Sequence, residues 1–118
     1  MPLAAADFLG QLRSLVPEAE PMVREHLVDH DGEVLLHLLT ADLRRLGVAW
    51  FTETRHEPLQ RLLEVVATGL REGDEYVSSA MAVSFVEDTG WWRPEMHPFI
   101  AAWPKALTQE LERQRAGG

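Results

Sequence analysis

Between Leu59 and Arg71 the apolar residues Leu59, Leu62, Leu63, Val66 and Leu70 recur at steps of three and four, while Gln60, Arg61, Glu64 and Arg71 fill the gaps. At about 100° per residue this spacing places every apolar side chain on one stripe, so the segment predicts an amphipathic helix that must bury that stripe against something else. Pro58 suits the first turn of such a helix, because its missing N–H has no partner there in any case.

The same period recurs through the rest of the chain. Phe8, Leu12 and Leu15 predict a first helix over residues 4–16, ended by Pro17. A second is expected from Pro17-Glu18 to about His30, its start delayed by a turn if Pro21 is not accommodated. Asp31-Gly32 separates it from a third helix over residues 33–50, where Leu35, Leu39, Leu43, Leu46 and Trp50 share one face and His37, Thr40, Arg44 and Arg45 fall largely on the other. After the turn Glu72-Gly73-Asp74-Glu75, residues 76–86 carry almost no charge and predict a helix enclosed by the others. Thr89-Gly90-Trp91-Trp92-Arg93-Pro94 interrupts the pattern, and the last third of the chain resumes over 96–103 and then 104–115, a segment that Pro104 should kink or divide. The expected fold is therefore all-α: a compact bundle of five or six helices in a single domain spanning 1–118, with a frayed C-terminus after about residue 115.

A chain of 118 residues supports one hydrophobic core, and 46% hydrophobic with 25% charged residues is the balance of a globular domain. The absence of cysteine excludes disulfides, thiolate metal sites and a thiol nucleophile. Met1 to Asp7 lacks the basic and apolar regions of a signal peptide, and no run approaches the roughly 20 apolar residues of a membrane span, so a cytoplasmic location is expected. Nineteen acidic against eleven basic residues leave a formal charge of −8, which disfavours nucleic acid and anionic membrane and favours a basic protein partner.

Two constellations carry the functional argument. His26 and His30 lie four positions apart on one predicted helix face, flanked by Glu25, Asp29, Asp31 and Glu33, with His37 further on. Histidines at that spacing are candidate metal ligands, but Leu27 follows His26 where a metalloprotease motif has glutamate, and no third ligand helix is evident; no metal and no cofactor is assigned. The alternative is two partly buried imidazoles bonded to backbone carbonyls. Asp42 falls at the edge of an apolar stripe and needs a partner such as Arg45. The second constellation is Trp91-Trp92: adjacent residues cannot both be buried on one face, so one of the pair is expected to be exposed or to anchor a partner. The glycines lack phosphate-cradling spacing, no GxSxG elbow is present, and Ser78, Ser79 and Ser84 are expected to return their hydroxyls to the preceding helical turn.

The stretches Val16-Pro17-Glu18-Ala19, Glu25-His26-Leu27, Asp31-Gly32-Glu33-Val34-Leu35 and Thr40-Ala41-Asp42-Leu43, with Gly73-Asp74-Glu75 and Ala82-Val83-Ser84-Phe85-Val86-Glu87, resemble a family of short bacterial all-helical proteins classed as a domain of unknown function. The resemblance spans about residues 5–110; Trp91-Trp92-Arg93 departs from it. By analogy with immunity and accessory proteins of similar size and acidity, it implies a binding role.

Together these features lead to an expected function: a small acidic interaction protein, immunity-like, more a binder than an enzyme, contacting its partner through Asp29, Asp31, Glu33, His37, Trp91 and Trp92. One alternative is a metal-dependent or small-ligand-binding enzyme or regulator built on His26, His30 and Asp42. The other is a homodimeric structural protein; monomer and homodimer are both compatible with the sequence.

Overall fold

In the computed structural model, which describes residues 1–117, the apolar stripes predicted from the sequence meet one another. The described residues form seven α-helices: α1 Ala5–Leu15, α2 Glu20–Asp29, α3 Leu36–Thr52, α4 His56–Glu72, α5 Glu75–Ala80, α6 His97–Ala101 and α7 Lys105–Gly117. The all-α architecture matches the expectation and the helix count exceeds it, because α6 is a separate short helix and Trp103-Pro104 detaches α7 from it. No β-strand is present among the described residues. The radius of gyration, 13.4 Å, is that of a folded chain of this length, about 13.5 Å. Helix α7 includes residues 116 and 117, beyond residue 115; residue 118 lies outside the described residues.

The amphipathic α4 lies at the centre. Leu59, Leu62, Leu63 and Val66 are buried as its period predicts, and Val65, Ala67 and Gly69 are buried too, because α1, α3, α5 and α7 all pack on this helix. At Gly69 a side chain of α1 packs directly on the α4 backbone: a Cβ there would meet Phe8 Cε1 at 2.9 Å. Pro17 ends α1 and opens a single 3₁₀ turn, Pro17–Ala19, after which Pro21 sits in the first turn of α2, the delay its missing N–H requires. Glu18 on that turn makes a bidentate pair with Arg61 on α4, 2.9 and 2.7 Å, and this hydrogen bonding holds the Glu18 carboxyl at a pKa of about 2.

The start of α3 differs from expectation. The helix begins at Leu36, and neither Asp31 nor Gly32 caps it; instead both residues take positive φ, 54° and 83°, and turn the chain back. The first free backbone N–H groups find tertiary partners: Leu35 N–H donates to His26 Nε2 at 3.1 Å and Leu36 N–H to the Tyr76 hydroxyl at 2.8 Å. Thr40, placed by its helical angle on the outer face, is fully buried, because α3 is packed on by both α4 and the residues following α5.

Those residues, Met81–Val86, continue α5 as a π-helix. A π turn shifts the register of the backbone hydrogen bonds and leaves carbonyls available, and three receive side-chain donors. Arg44 Nε donates to the Ser84 carbonyl at 3.2 Å, Gln114 Nε2 to that of Ala82 at 2.9 Å, and the Thr89 hydroxyl to that of Phe85. Met81, Phe85 and Val86 point into the core, but Tyr76 and Val83 are exposed, so this helix is covered on one side and not enclosed all round. Phe85 belongs to an aromatic cluster with Phe99 and Trp103, ring centroids 5.8 to 6.4 Å apart, that joins the π segment to α6 and the α7 approach. No helix among the described residues is long and apolar enough to cross a membrane.

Candidate functional site

Helix α2 and the middle of α3 flank an open cleft of about 340 Å³ lined by residues that include His26, His30, Asp29 and Asp42. The i, i+4 spacing brings the two imidazoles together, with ring centroids 4.4 Å apart. His26 is buried at 3% exposure. Its Nε2 accepts the Leu35 N–H, which assigns the neutral ring proton to Nδ1. This reverses the expected direction: the ring accepts from the backbone where donation to a carbonyl was anticipated. His30 behaves as anticipated, its Nδ1–H donating to the His26 carbonyl at 2.8 Å, which leaves its Nε2 as a free lone pair. Asp42 Oδ1 accepts from Arg45 Nη1 at 2.8 Å.

The tautomers decide what the pair can ligate. A metal needs a lone pair from each imidazole, and the His26 Nε2 lone pair is committed to Leu35 while Nδ1 carries the proton. No group of three or more His, Asp or Glu side chains converges as metal ligands do among the described residues. Burial, and next the neighbouring His30, push the His26 pKa below its ordinary 6.5, against weaker opposite pulls from Asp42 and Asp29.

That depression has a sign. Below pH 6.5 an unfolded chain protonates His26 while the folded chain does not, so the unfolded state binds more protons and stability falls as pH falls through the window beneath 6.5. Protonation at Nε2 also sets two donors, the ring and Leu35 N–H, against each other. The urea midpoint is therefore expected to drop between pH 7 and pH 5, with a shallower drop in His26→Gln, whose amide oxygen can accept from Leu35. Equal slopes in the two proteins would remove His26 as the cause. Loss of the Glu18–Arg61 pair is separate, because the stabilisation from that carboxylate is fully present above pH 4.5 and is lost only as pH falls from there toward about 2.

The structure disperses the other candidates. Asp29 is exposed at the end of α2, Asp31 and Glu33 are exposed on the connection to α3, and none of the three is in an ion pair among the described residues. His37 is exposed, yet its Nδ1 lies 3.0 Å from the Ser84 hydroxyl, and its ring is 6.0 Å from that of Tyr76. Ser84 thus reaches across to α3 where a bond to its own preceding turn was expected; no sequence motif marks this pair, because its members are 47 positions apart. The pair resembles a nucleophile with its base, but no carboxylate orients His37 among the described residues and Ser84 is buried, so it is a packing contact.

Trp91 and Trp92 separate as adjacent residues must. Trp91 is half-buried beneath Arg115, whose guanidinium lies 4.2 Å from the ring centroid, and its carbonyl bonds His97 Nε2 at 2.9 Å. Trp92 is 62% exposed and meets Trp91 edge-on at 5.9 Å. Both rings border a cleft of about 400 Å³ floored by Ile100 and Leu111.

Comparison with known families matches residues 9–117 to the family model described as a domain of unknown function, DUF7674, and the chain belongs to that family. No curated protein and no solved structure matches it.

Proposed function

We propose that this member of the family is a docking module for a basic protein. The observation that carries the reading is Trp92: a tryptophan 62% exposed, held in place by Trp91 and bordering a groove, has the chemistry of an interface anchor. Trp91 itself is fixed by Arg115 and His97, so the anchor is presented on an ordered base and loses little side-chain entropy on binding. The formal charge of −8 and Asp29, Asp31 and Glu33, exposed and outside any ion pair among the described residues, supply long-range attraction for a cationic partner and set its approach. An immunity-like role, in which the partner is a basic toxin or enzyme to be neutralised, is one form of this function.

The test is affinity capture from the source cell at low and physiological salt, with wild type beside Trp92→Ala and an Asp29→Asn, Asp31→Asn, Glu33→Gln triple variant. Wild type is expected to retain a basic protein. Trp92→Ala should weaken that retention by roughly 30-fold or more, the scale of a hot-spot truncation of at least ~2 kcal/mol. The triple variant should lose most of the salt dependence. Capture of nothing at either salt, or equal capture by all three proteins, would overturn the reading. So would a doubled sedimentation mass abolished by Trp92→Ala, which makes the same face a self-interface.

A further inference from the structure

The groove beside Trp92 differs in charge from the rest of the molecule. In a chain of formal charge −8, clefts elsewhere on the surface are lined by Glu64, by Glu25, Asp29 and Asp42, and by Glu110. This groove is walled by Trp91 and Trp92, floored by Ile100 and Leu111, and edged by Arg115 and His97; its lining includes no carboxylate. Arg115 is exposed and is in no ion pair among the described residues. Its guanidinium lies 4.2 Å from the Trp91 ring centroid, so the cation–π contact holds the charge in place without using the in-plane N–H donors. The result is an apolar groove with a positioned, solvent-accessible cation at its edge.

We propose that this groove takes the C-terminal residue of the docked protein, its apolar side chain in the groove and its α-carboxylate on Arg115. The choice of a polypeptide end rests on the docking reading; the choice of a carboxylate beside an apolar group rests on the lining. Trp91 stands between the two features, 4.2 Å from the guanidinium and 5.9 Å from the Trp92 centroid, so the cation and the exposed ring are close enough for one residue to bridge. In a polypeptide an apolar side chain and a carboxylate share one carbon only at the C-terminus. An internal Asp or Glu gives up its own side chain to the carboxylate, and in an extended segment its neighbours point to the opposite face. A carboxylate meeting a guanidinium gains two parallel charge-assisted hydrogen bonds, a geometry that fixes the chain end. The negative field of the chain opposes a free anion but attracts a basic body, so the carboxylate arrives on a cationic protein. The groove, about 400 Å³, has room for one large apolar side chain.

The experiment is an NMR titration of the whole protein at pH 7, following the indole N–H signals of Trp91 and Trp92. The probes are an acetylated peptide, Ala-Ala-Lys-Ala-Leu, with a free C-terminus, its C-terminal amide, the same peptide ending in glycine, and hexanoate. The peptide with the free terminal leucine is expected to shift both indoles saturably. The amide and the glycine peptide should each bind at least roughly ten-fold more weakly, the effect of losing one charge-assisted hydrogen bond or one buried apolar side chain. Arg115→Gln should bind acid and amide equally, and Arg115→Lys should keep part of the difference, because the charge stays and the bidentate geometry goes. No saturable shift with the acid peptide, or equal binding of its amide by the wild type, overturns the proposal. So does hexanoate binding as tightly as the peptide, which assigns the groove to a free carboxylic acid. Capture of a basic protein equally by wild type and Arg115→Gln, where the acid peptide fails, sinks this inference and leaves the docking reading standing. Binding of the acid peptide where no protein is captured sinks the docking reading instead.

Discussion

Phe85→Ala is expected to lower the stability of the protein by about 3–5 kcal/mol, a large share of the 5–15 kcal/mol that holds a domain of this size folded. Phe85 is fully buried, and its ring sits 6.4 Å from Phe99 and 5.8 Å from Trp103, so truncation empties the space where the π segment, α6 and the approach to α7 meet. Relaxation is restricted from both sides. The backbone around Phe85 is pinned by the side chains of Arg44, Thr89 and Gln114, and Phe99 is wedged against Phe51 as well as Trp103. A cavity that cannot collapse carries the upper part of the penalty. Urea unfolding of the variant beside Leu38→Ala, an apolar truncation at a residue 52% exposed, checks the argument, because the exposed change should stay within about 0.5 kcal/mol. A loss below about 1 kcal/mol for Phe85→Ala would mean that the π turn rewinds and refills the space.

Which features of this fold are legible beforehand follows from where their causes lie. Helices α1 and α4 are written in local spacing, Phe8 and Leu12 in one and Leu59, Leu62, Leu63 and Val66 in the other, and they form where that spacing places them. The start of α3 is not local. Asp31 is a good cap by composition, but a helix N-terminus needs only donors' partners, and His26 and Tyr76, the latter 40 positions away, provide them. The π segment is invisible for the same reason: Met81-Ala82-Val83-Ser84-Phe85-Val86 contains neither glycine nor proline, and what supports the altered register is Arg44 and Gln114 reaching in from other helices. In the candidate site the proximity of His26 and His30 follows from the helical repeat, whereas their tautomers follow from Leu35 and the His26 carbonyl, which only the folded chain brings to them. The division of Trp91 from Trp92 was readable from adjacency alone; Arg115 as the cover of Trp91 was not, since it arrives from the far end of the chain.

Gly73→Ala should cost about 1–3 kcal/mol, occasionally more, and should act first on the N-terminal segment. Gly73 follows α4 with φ −70° and ψ 155°, a conformation any residue adopts, so its requirement is for space and not for backbone freedom. A Cβ at this position would lie 2.5 Å from Val77 Cγ1 and would also press on the Gly69 carbonyl, which accepts the Gly73 N–H at 3.0 Å. Val77 is fully buried, so its side chain cannot swing away, and the backbone must move instead. The movement falls where Leu3 is tied to the core: Leu3 N–H donates to the Glu72 carbonyl and Asp74 N–H to the Leu3 carbonyl, each at 2.8 Å. Asp74 is also the N-cap of α5, its carboxylate accepting the Val77 N–H at 2.9 Å, so the same shift loosens a helix start. Amide hydrogen exchange at Leu3, Asp74 and Val77 should therefore accelerate more than exchange within α4, while the urea midpoint falls. If α4 loses protection equally, the strain has spread through the bundle and the tether of Leu3 is not the yielding element.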